Sequence, residues 1–299
     1  MNISKYETLS KVVETGSFTR AAEQLGITQS AVSHIISGIE EDFGFAVVTR
    51  SRAGVKLTPD GERIMPPLRA ILNYSEQLRQ TVSAVRGLDS GTVRIGAFTS
   101  VAVHWLPGVI KEFRRDFPNV DIKLLNGDYY DVEEWIEQGL VDLGFVTVPN
   151  KLSCESIPLM EDRLLAILPH DHKFASYPKF PLVECENEPF ITLLETSNHD
   201  ARRALASAGI EPKVRFSTKD DYAIIAMVEQ GLGISIVPQL LIRGRAQNLE
   251  VRPLVPKASR TIALAIPGGE ALPVVRAFAE TAVEWLQKSV SVTESETTS

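Results

Sequence analysis

The residues best suited to chemistry lie on one short segment near the N-terminus. Gln29, Ser30, Ser33 and His34 fall within the first two turns of a helix predicted from about Gln29 to Glu41. All four side chains can form hydrogen bonds with a polar partner. A glutamine amide can form two hydrogen bonds to an adenine, and a serine hydroxyl can bond to several base edges. This set therefore predicts a surface that contacts bases in the major groove of DNA.

Two shorter helices are predicted before this segment, and they would position it. Apolar residues recur at helical spacing over residues 4–14, and a second helix is predicted over Phe18–Leu25. Gly26 then turns the chain, and Thr28 is both the predicted N-cap of the third helix and a further predicted DNA-binding residue. Two short helices, a tight turn and a third helix with a polar N-terminal face are typical of a helix-turn-helix.

Basic side chains follow on a predicted β-hairpin over residues 47–57. Arg50, Arg52 and Lys56 surround its turn, so we expect them to contact phosphates or the minor groove. The alternative is that residues 1–60 form a helical module that binds another protein. A surface of serine, glutamine and histidine is poorly suited to an apolar interface, which favours DNA.

A long helix is predicted after Thr58 and Pro59, which suit its N-cap and first position. Its apolar stripe has alternating spacings of four and three residues, interrupted by Ser75, as in a coiled coil. A stripe this narrow predicts pairing with the same helix of a second chain, and packing on its own domain is the alternative. The predicted dimerisation residues are Ile64, Leu68, Ile71, Leu78, Val82 and Val85.

After Gly91, segments with strand and helix patterns alternate twice in a βαβαβ order. This order predicts parallel sheets and two α/β lobes. We expect the chain to cross between the lobes near residues 163–168 and 266–268. The first lobe then comprises residues 92–162 and 268–290, and the second comprises residues 163–267. Residues 291–299 are rich in Ser, Thr and Glu and predict a disordered tail.

Short polar side chains follow four of the predicted strands. Ligands of open α/β sheets bind beyond the carboxyl ends of the strands. Most of these residues also precede a helix, where a carboxylate or another small anion is favoured. We therefore expect a cleft that binds a small anionic effector. Its predicted residues are Thr99, Ser100, Thr147, Thr196, Ser197, Asn198 and Thr218, with His199 and Arg202 as further candidates for charge recognition.

The run from Ala21 to Ser33, followed by Glu40, Gly44, Arg50 and the segment 57–61, resembles the LysR-type transcriptional regulators. The resemblance is specific over residues 2–65 and weaker over the rest of the chain. It implies an all-α winged helix-turn-helix domain over 1–58, a linker helix over 59–89, and a two-lobed α/β effector domain over 90–290, similar to a periplasmic solute-binding protein. It also implies a homotetramer built from dimers that binds double-stranded DNA, a small-molecule effector and RNA polymerase.

The charge distribution limits how such a chain could bind nucleic acid. The net charge is −7, but residues 1–90 carry ten basic and ten acidic residues, so the whole excess lies in residues 91–299. Binding through bulk positive charge is therefore excluded. No apolar run approaches the roughly 18 residues of a membrane helix, and the N-terminus lacks a signal-peptide core. We expect a cytoplasmic protein with no membrane partner.

The sequence also bears on three other functions, namely an enzyme, a metal site and a redox sensor. The chain lacks G-x-S-x-G, H-E-x-x-H and phosphate-loop motifs, so we expect no enzyme, cofactor or metal. His170 and His172 flank Asp171 after Leu168-Pro169, which favours a solvated turn over a metal site. A redox-sensing regulator using Cys154 and Cys185 is the main alternative. These cysteines lack the Cys-His-x-x-x-Cys spacing of the peroxide sensors, and acidic neighbours should raise the pKa of Cys185.

Overall fold

The computed structural model describes residues 3–51, 54–85, 91–154, 156–194, 200–267 and 271–296. Contacts between residues divide the chain into two units. The first comprises residues 1–90 with 137–140, and the second comprises the remainder from Gly91. Among the described residues, no helix is both long and apolar enough to cross a membrane.

The first unit contains four helices and one β-hairpin. Its elements are α1 (Ile3–Thr15), α2 (Phe18–Leu25), α3 (Gln29–Phe43), β1 (Val48–Ser51), β2 (Gly54–Leu57) and α4 (Pro59–Val85). The predicted N-caps are present: the Ser17 hydroxyl accepts a hydrogen bond from the Arg20 amide, and the Thr28 hydroxyl accepts one from the Ala31 amide at 3.2 Å. Gly26 ends α2 in a left-handed conformation with φ of 67°, which explains the requirement for glycine at this turn.

The core of the first unit holds α3 and the hairpin in place. Leu9, Ala21, Val32 and Ile36 are almost fully buried where the first three helices meet. The Glu40 side chain extends from α3 and accepts hydrogen bonds from the amides of residues 47 and 48, at 2.8 and 3.1 Å. The orientation of the hairpin is therefore set by a side chain of α3.

The second unit is built on a sheet with the strand order β4-β3-β5-β12-β6-β11-β7, and β10 pairs with β6 outside this path. The first group of elements is β3 (Gly91–Ala97), α5 (Thr99–His104), α6 (Leu106–Asp116), β4 (Val120–Asn126), α7 (Tyr129–Glu137) and β5 (Leu143–Val148). The strands β4 and β5 both run parallel to β3, as the βαβαβ pattern predicts.

The remaining elements form the second lobe and return to the first. They are β6 (Ser156–Leu168), β7 (Phe180–Pro181), a 3-10 helix (Leu182–Glu186), β8 (Phe190–Leu193), α8 (Asp200–Ser207), β9 (Val214–Thr218), α9 (Asp221–Glu229), β10 (Ser235–Pro238), β11 (Glu250–Val255), β12 (Ser259–Ala265) and α10 (Pro273–Glu296). A separate two-stranded sheet joins β8 to β9.

The chain crosses between the lobes at two places, and one differs from the prediction. The strand β6 pairs with β12 up to Arg163 and with β10 and β11 from Leu164 onward, inside the predicted range. In contrast, β12 pairs with β5, and its Ile262 and Leu264 are buried in the first-lobe core. The assignment of residues up to 267 to the second lobe is therefore wrong. Apolar alternation identifies a strand, but its partner depends on long-range packing.

The C-terminal helix α10 packs on the first lobe, where the Phe278 ring lies 5.1 Å from that of Phe113. Its helical span extends to Glu296 and so includes residues 291–296 of the tail for which the sequence predicts disorder. Adding residues to an existing helix costs much less than nucleating one, which allows residues of modest helix propensity to extend it. Residues 297–299 lie outside the described ranges.

Candidate DNA-binding surface and ligand cleft

One face of α3 presents polar side chains to solvent. Gln29, Ser30 and His34 are exposed, and Ser33 is half-buried. On the opposite side, Val32 is fully buried. Besides capping the helix, Thr28 lies 3.0 Å from Ser30 between hydroxyl oxygens, so both side chains are ordered at its N-terminus. The structure thus brings the predicted base-contacting residues to one exposed face.

Arg50 on β1 joins the hairpin to two helices. Its guanidinium carbon lies 3.9 Å from the centre of the Phe18 ring of α2, a cation–π geometry. Its Nη2 also donates a hydrogen bond to the Ser33 hydroxyl at 2.9 Å. Arg50 is nevertheless solvent-exposed, and the Ser33 hydroxyl can still donate its own hydrogen. These two predicted DNA contacts therefore form one connected group; Arg52 lies outside the described residues.

A close backbone approach fixes the base of the hairpin. The Val55 amide donates to the Gly16 carbonyl at 2.9 Å. The adjacent Gly54 has a φ of 111°, and a Cβ there would lie only 2.9 Å from the same carbonyl oxygen. Only glycine fits such a conformation without strain. The hairpin is consequently held against the α1–α2 turn.

The apolar stripe of α4 divides into a covered part and an exposed part. Leu68 is 4% exposed within the core of the first unit, and Ile64 packs against that core. Their assignment to a dimer seam is therefore wrong, because the first turns of α4 cover their own domain. Farther along, Leu78 and Val82 are 66% and 46% exposed. Ile71 is half-buried, and the side chain of Val85 is not among those described.

A cavity of about 420 Å³ lies between the two lobes of the second unit. First-lobe residues that follow β3 and β4 form one wall, and residues from β8, α8, α9 and β10 form the other. The predicted residues Thr99 and Ser100 line this cavity. Its volume falls within the range usual for small-molecule sites.

A buried arginine organises the wall of the cavity. The Nε and Nη2 atoms of Arg260 donate to Asp162 at 2.9 and 2.6 Å, and Nη2 also donates to the Ser100 hydroxyl at 2.8 Å. Its Nη1 donates to the Tyr129 hydroxyl and lies 3.7 Å from Asp200 Oδ2. The Arg260 side chain is only 2% exposed. This network links both lobes, since the Tyr129 hydroxyl also donates to Asp200 at 2.5 Å.

Burial shifts the titration of this network. Desolvation raises the pKa of Asp162, although the positive charge of Arg260 opposes the shift. The pKa of Tyr129 is raised well above its usual value, mainly through burial. The predicted set omitted Arg260, Asp162, Tyr129 and Asp200. A charged residue inside a strand pattern, as in Ser259–Ala265, was the available signal for Arg260.

Two of the predicted ligand residues lie outside the lining of this cavity. Thr147 is 2% exposed within β5 opposite Ile262, because the strand continues to Val148, two residues beyond the end that its pattern predicts. Thr218 also lies outside the lining, and its hydroxyl accepts a hydrogen bond from the Asp220 amide at 3.2 Å, which makes it a local turn residue. Arg202 lines a separate groove beside α8. Thr196, Ser197, Asn198 and His199 lie outside the described residues.

Carboxylates of the chain occupy the starts of α7 and α9 beside the cavity, whereas no side chain caps α5, which begins at Thr99. At the start of α7, Asp128 accepts from the Asp131 amide at 2.9 Å and Asp131 accepts from the Asp128 amide at 3.0 Å. At α9, Asp220 accepts from the amide of residue 222 at 2.8 Å. Asp200 begins α8. The amide donors of α7 and α9 therefore already serve protein carboxylates, and at α5, where Thr99 and Ser100 were expected to bind an anion, the expectation stays a prediction.

The two cysteines belong to different cores. Cys154 packs on a first-lobe cluster, and Cys185 is buried in the second lobe. Both are free thiols. Desolvation raises the pKa of Cys185 to about 12, and the negative charge of Glu184 adds to the shift. The raised pKa agrees with the prediction, although burial is the larger cause. Nothing here specifically favours redox sensing.

The histidine pair does not converge on a common site. His170 Nδ1 lies 3.0 Å from Glu250, and His172 Nε2 lies 3.4 Å from Glu188. Across the part of the chain that the structure describes, no three potential metal ligands form a group.

Comparison with known proteins identifies both units. Residues 3–62 match the family model "Bacterial regulatory helix-turn-helix protein, lysR family", and residues 86–287 match "LysR substrate binding domain". The uncharacterized HTH-type transcriptional regulator YvbU of Bacillus subtilis is 31% identical over 288 residues, covering 95% of this chain and 98% of YvbU.

Solved structures share the fold. A cysteine-to-aspartate variant of full-length OxyR from Pseudomonas aeruginosa superposes with a TM-score of 0.76 at 21% identity, covering 96% of this chain and 95% of that one. Full-length CbnR in complex with its target DNA has a TM-score of 0.66 at 19% identity, with coverages of 95% and 100%. The matched families and relatives are transcriptional regulators, not enzymes. The chain belongs to the LysR family of helix-turn-helix transcriptional regulators.

Proposed function

We propose that this regulator binds a pseudo-palindromic site in double-stranded DNA through the exposed face of α3. The observation that carries the proposal is the cluster of Gln29, Ser30, Ser33 and His34 on that face, with Arg50 bonded to Ser33. Side chains at the start of a recognition helix reach base edges in the major groove. Thr28 would orient the first turn, and Arg50 and Arg52 would contact the phosphate backbone.

Two copies would be joined by the exposed part of the α4 stripe. Leu78 and Val82 of the predicted stripe are 66% and 46% exposed, and Tyr74, which lies beside the stripe one turn before Leu78, is 61% exposed. Such a stripe on one long helix is suited to coiled-coil pairing. Two recognition helices about 34 Å apart would contact successive major grooves, which requires a symmetric site. We propose that pairs of dimers form a tetramer.

The cleft would bind a small effector, without any tightly bound cofactor. Effector binding changes regulation only when the ligand prefers one of two arrangements of the protein. The network around Arg260 joins both lobes and would respond to their closure. The regulator would act in the cytoplasm and affect RNA polymerase through the spacing of its DNA-bound pairs.

Selection of bound sequences from randomised duplex DNA tests the proposal. The full-length chain is expected to select a motif with two-fold symmetry. In anisotropy titrations on that duplex, Gln29→Ala should weaken binding about tenfold or more, because a bidentate base contact contributes about 1–3 kcal/mol. Glu41→Gln, in the last turns of α3, is a matched control that should bind like the unmodified chain. An asymmetric motif, or full affinity in Gln29→Ala, would refute the proposed surface.

A further inference from the structure

The described residues of the cleft offer little positive charge to a ligand. Four hydrogen bonds to Asp162, Ser100 and Tyr129, with an ion pair to Asp200, occupy the guanidinium of Arg260. A guanidinium has five N–H donors in a fixed plane, so this arrangement leaves almost no capacity for an added carboxylate. Its charge is also balanced within the wall. Arg260 is therefore a structural cation, not a ligand-binding one.

The remaining charged groups along the described lining are mostly acidic. They comprise the carboxylates of Asp128, Asp131 and Asp221 and the ammonium of Lys219, which is solvent-exposed at the rim. The cavity itself and the family's substrate-binding domain mark the place of binding. The charges bear on which ligand is accepted, since like charges disfavour an anion in a partly desolvated site.

Asp221 is the carboxylate of the described lining for which burial most favours a cationic partner. It lies at the first position of α9 and accepts a hydrogen bond from the Thr99 side chain across the cleft. Burial raises its pKa, although Thr99 and Arg260 lower it in part. A cation placed beside it would offset the desolvation of the carboxylate. Thr99 uses one acceptor position of the four that a carboxylate offers, so others remain for a ligand.

An aromatic side chain at the cavity is also suited to a cation. Tyr130 lines the cavity and is 61% exposed. Phe98, in contrast, is covered by Arg260, whose guanidinium carbon lies 4.9 Å from the ring centre. An ammonium group near an aromatic face is stabilised by cation–π attraction. An aryl or alkyl chain of the same ligand can pack on the apolar wall formed by residues such as Ile224 and Leu241.

We infer that the cleft recognises a small amine, with its ammonium group held by Asp221 and its apolar part lying between the lobes. This inference rests on the proposed role of the cleft as the effector site, and it specifies the chemical class of that effector. It reverses the sign of charge expected from the helix starts, because the charged groups along the described lining are mostly carboxylates.

Calorimetric titration of the full-length chain with three matched probes tests the inference. 2-Phenylethylamine, 2-phenylethanol and 3-phenylpropionate carry a positive, a neutral and a negative group on a similar frame. The amine should bind at least about tenfold more tightly than the alcohol, because a charge-assisted hydrogen bond contributes more than a neutral one. The anion should bind most weakly. Asp221→Asn should remove the preference for the amine while the chain stays folded, as a melting curve would verify.

Asp220→Asn is the matched control. Asp220 is exposed and caps α9 without lining the cavity, and asparagine is an equally good N-cap. This variant loses the same charge one residue away and should keep the preference for the amine. A stronger interaction with 3-phenylpropionate than with the amine, or an unchanged preference in Asp221→Asn, would overturn the inference and leave the cleft as the effector site. Failure of all three probes to bind at millimolar concentrations would also overturn the inference, whereas DNA binding by α3 would stand.

Discussion

The two functional regions use their polar side chains in opposite ways. On the polar face of α3, Gln29, Ser30 and His34 are exposed to solvent, and Ser33 is the one of these four side chains that is bonded to the hairpin. In the cleft, Arg260 and Asp162 are each 2% exposed and satisfy one another. An exposed surface whose hydrogen-bonding groups face solvent is suited to a large polar partner such as DNA. A saturated internal network instead fixes the shape of a small cavity and leaves recognition to the few groups beside it.

Removing the cation of the internal network should have the largest effect. Arg260→Met leaves Asp162 buried without its counter-charge, while Asp200 keeps its ion pair with Arg203, and breaking a buried ion pair in this way costs about 3–5 kcal/mol. The free energy of unfolding, measured by urea titration, should fall by that amount. The control Arg243→Met removes an exposed arginine of the second unit and should change stability by less than about 0.5 kcal/mol. Similar stabilities for the two variants would show that the network is dispensable.

The group formed by Arg50 and Ser33 should produce an intermediate effect. Ser33→Ala and Arg50→Ala each break the 2.9 Å hydrogen bond, and Arg50→Ala also removes the contact with Phe18. If the pair acts as one unit on DNA, the losses of affinity in a double-mutant cycle should be non-additive by about 0.5–3 kcal/mol. Anisotropy titrations at fixed salt would measure this coupling. Strict additivity would mean that the two residues contact DNA independently.

The pH dependence of stability should show whether burial destabilises the ionised carboxylate of Asp221. Its pKa is raised in the folded chain, so its ionisation opposes folding above that pKa, and this penalty disappears as the pH falls through it. The charged groups that act on it are Arg260, Asp220 and Asp128. Asp221→Asn should therefore be more stable than the unmodified chain at pH 7, and the difference should shrink toward pH 4. A difference that grows on acidification would mean that the carboxylate is stabilised in place.

The smallest effect is expected at the cysteines. Because burial raises the pKa of Cys185 to about 12, its thiolate is scarce at pH 8. Mass spectrometry after brief treatment with iodoacetamide should find alkylation at the half-buried Cys154 before Cys185. Rapid and equal modification of both would revive the redox alternative.

Local patterns predicted the first unit closely, because its elements are defined by residues near one another in sequence. The N-caps Ser17 and Thr28 and the turn at Gly26 act within three residues of their partners. The surface of α3 follows from its helical period alone. The packing of Ile64 and Leu68 in the core of their own unit was not predicted. A narrow apolar stripe is equally compatible with pairing to a second chain and with packing on the domain that carries it.

The cleft depends on contacts that sequence spacing cannot show. Arg260 lies 98 residues from Asp162 and 160 residues from Ser100. Ser100 and Thr99 were found because they follow a strand, but the same rule selected Thr147 and Thr218, which lie elsewhere. The sign of the ligand charge was also open to error, because a helix start favours anions equally when the anion is an aspartate of the chain.

One DNA-binding measurement tests the contrast between the regions most directly. A labelled duplex carrying the selected symmetric motif would be titrated with the full-length chain, Gln29→Ala and Asp221→Asn. An exposed recognition surface and a separate ligand cleft predict that Gln29→Ala loses about tenfold or more in affinity. Asp221→Asn should bind DNA like the unmodified chain when no ligand is added. Unchanged affinity in Gln29→Ala would contradict the account.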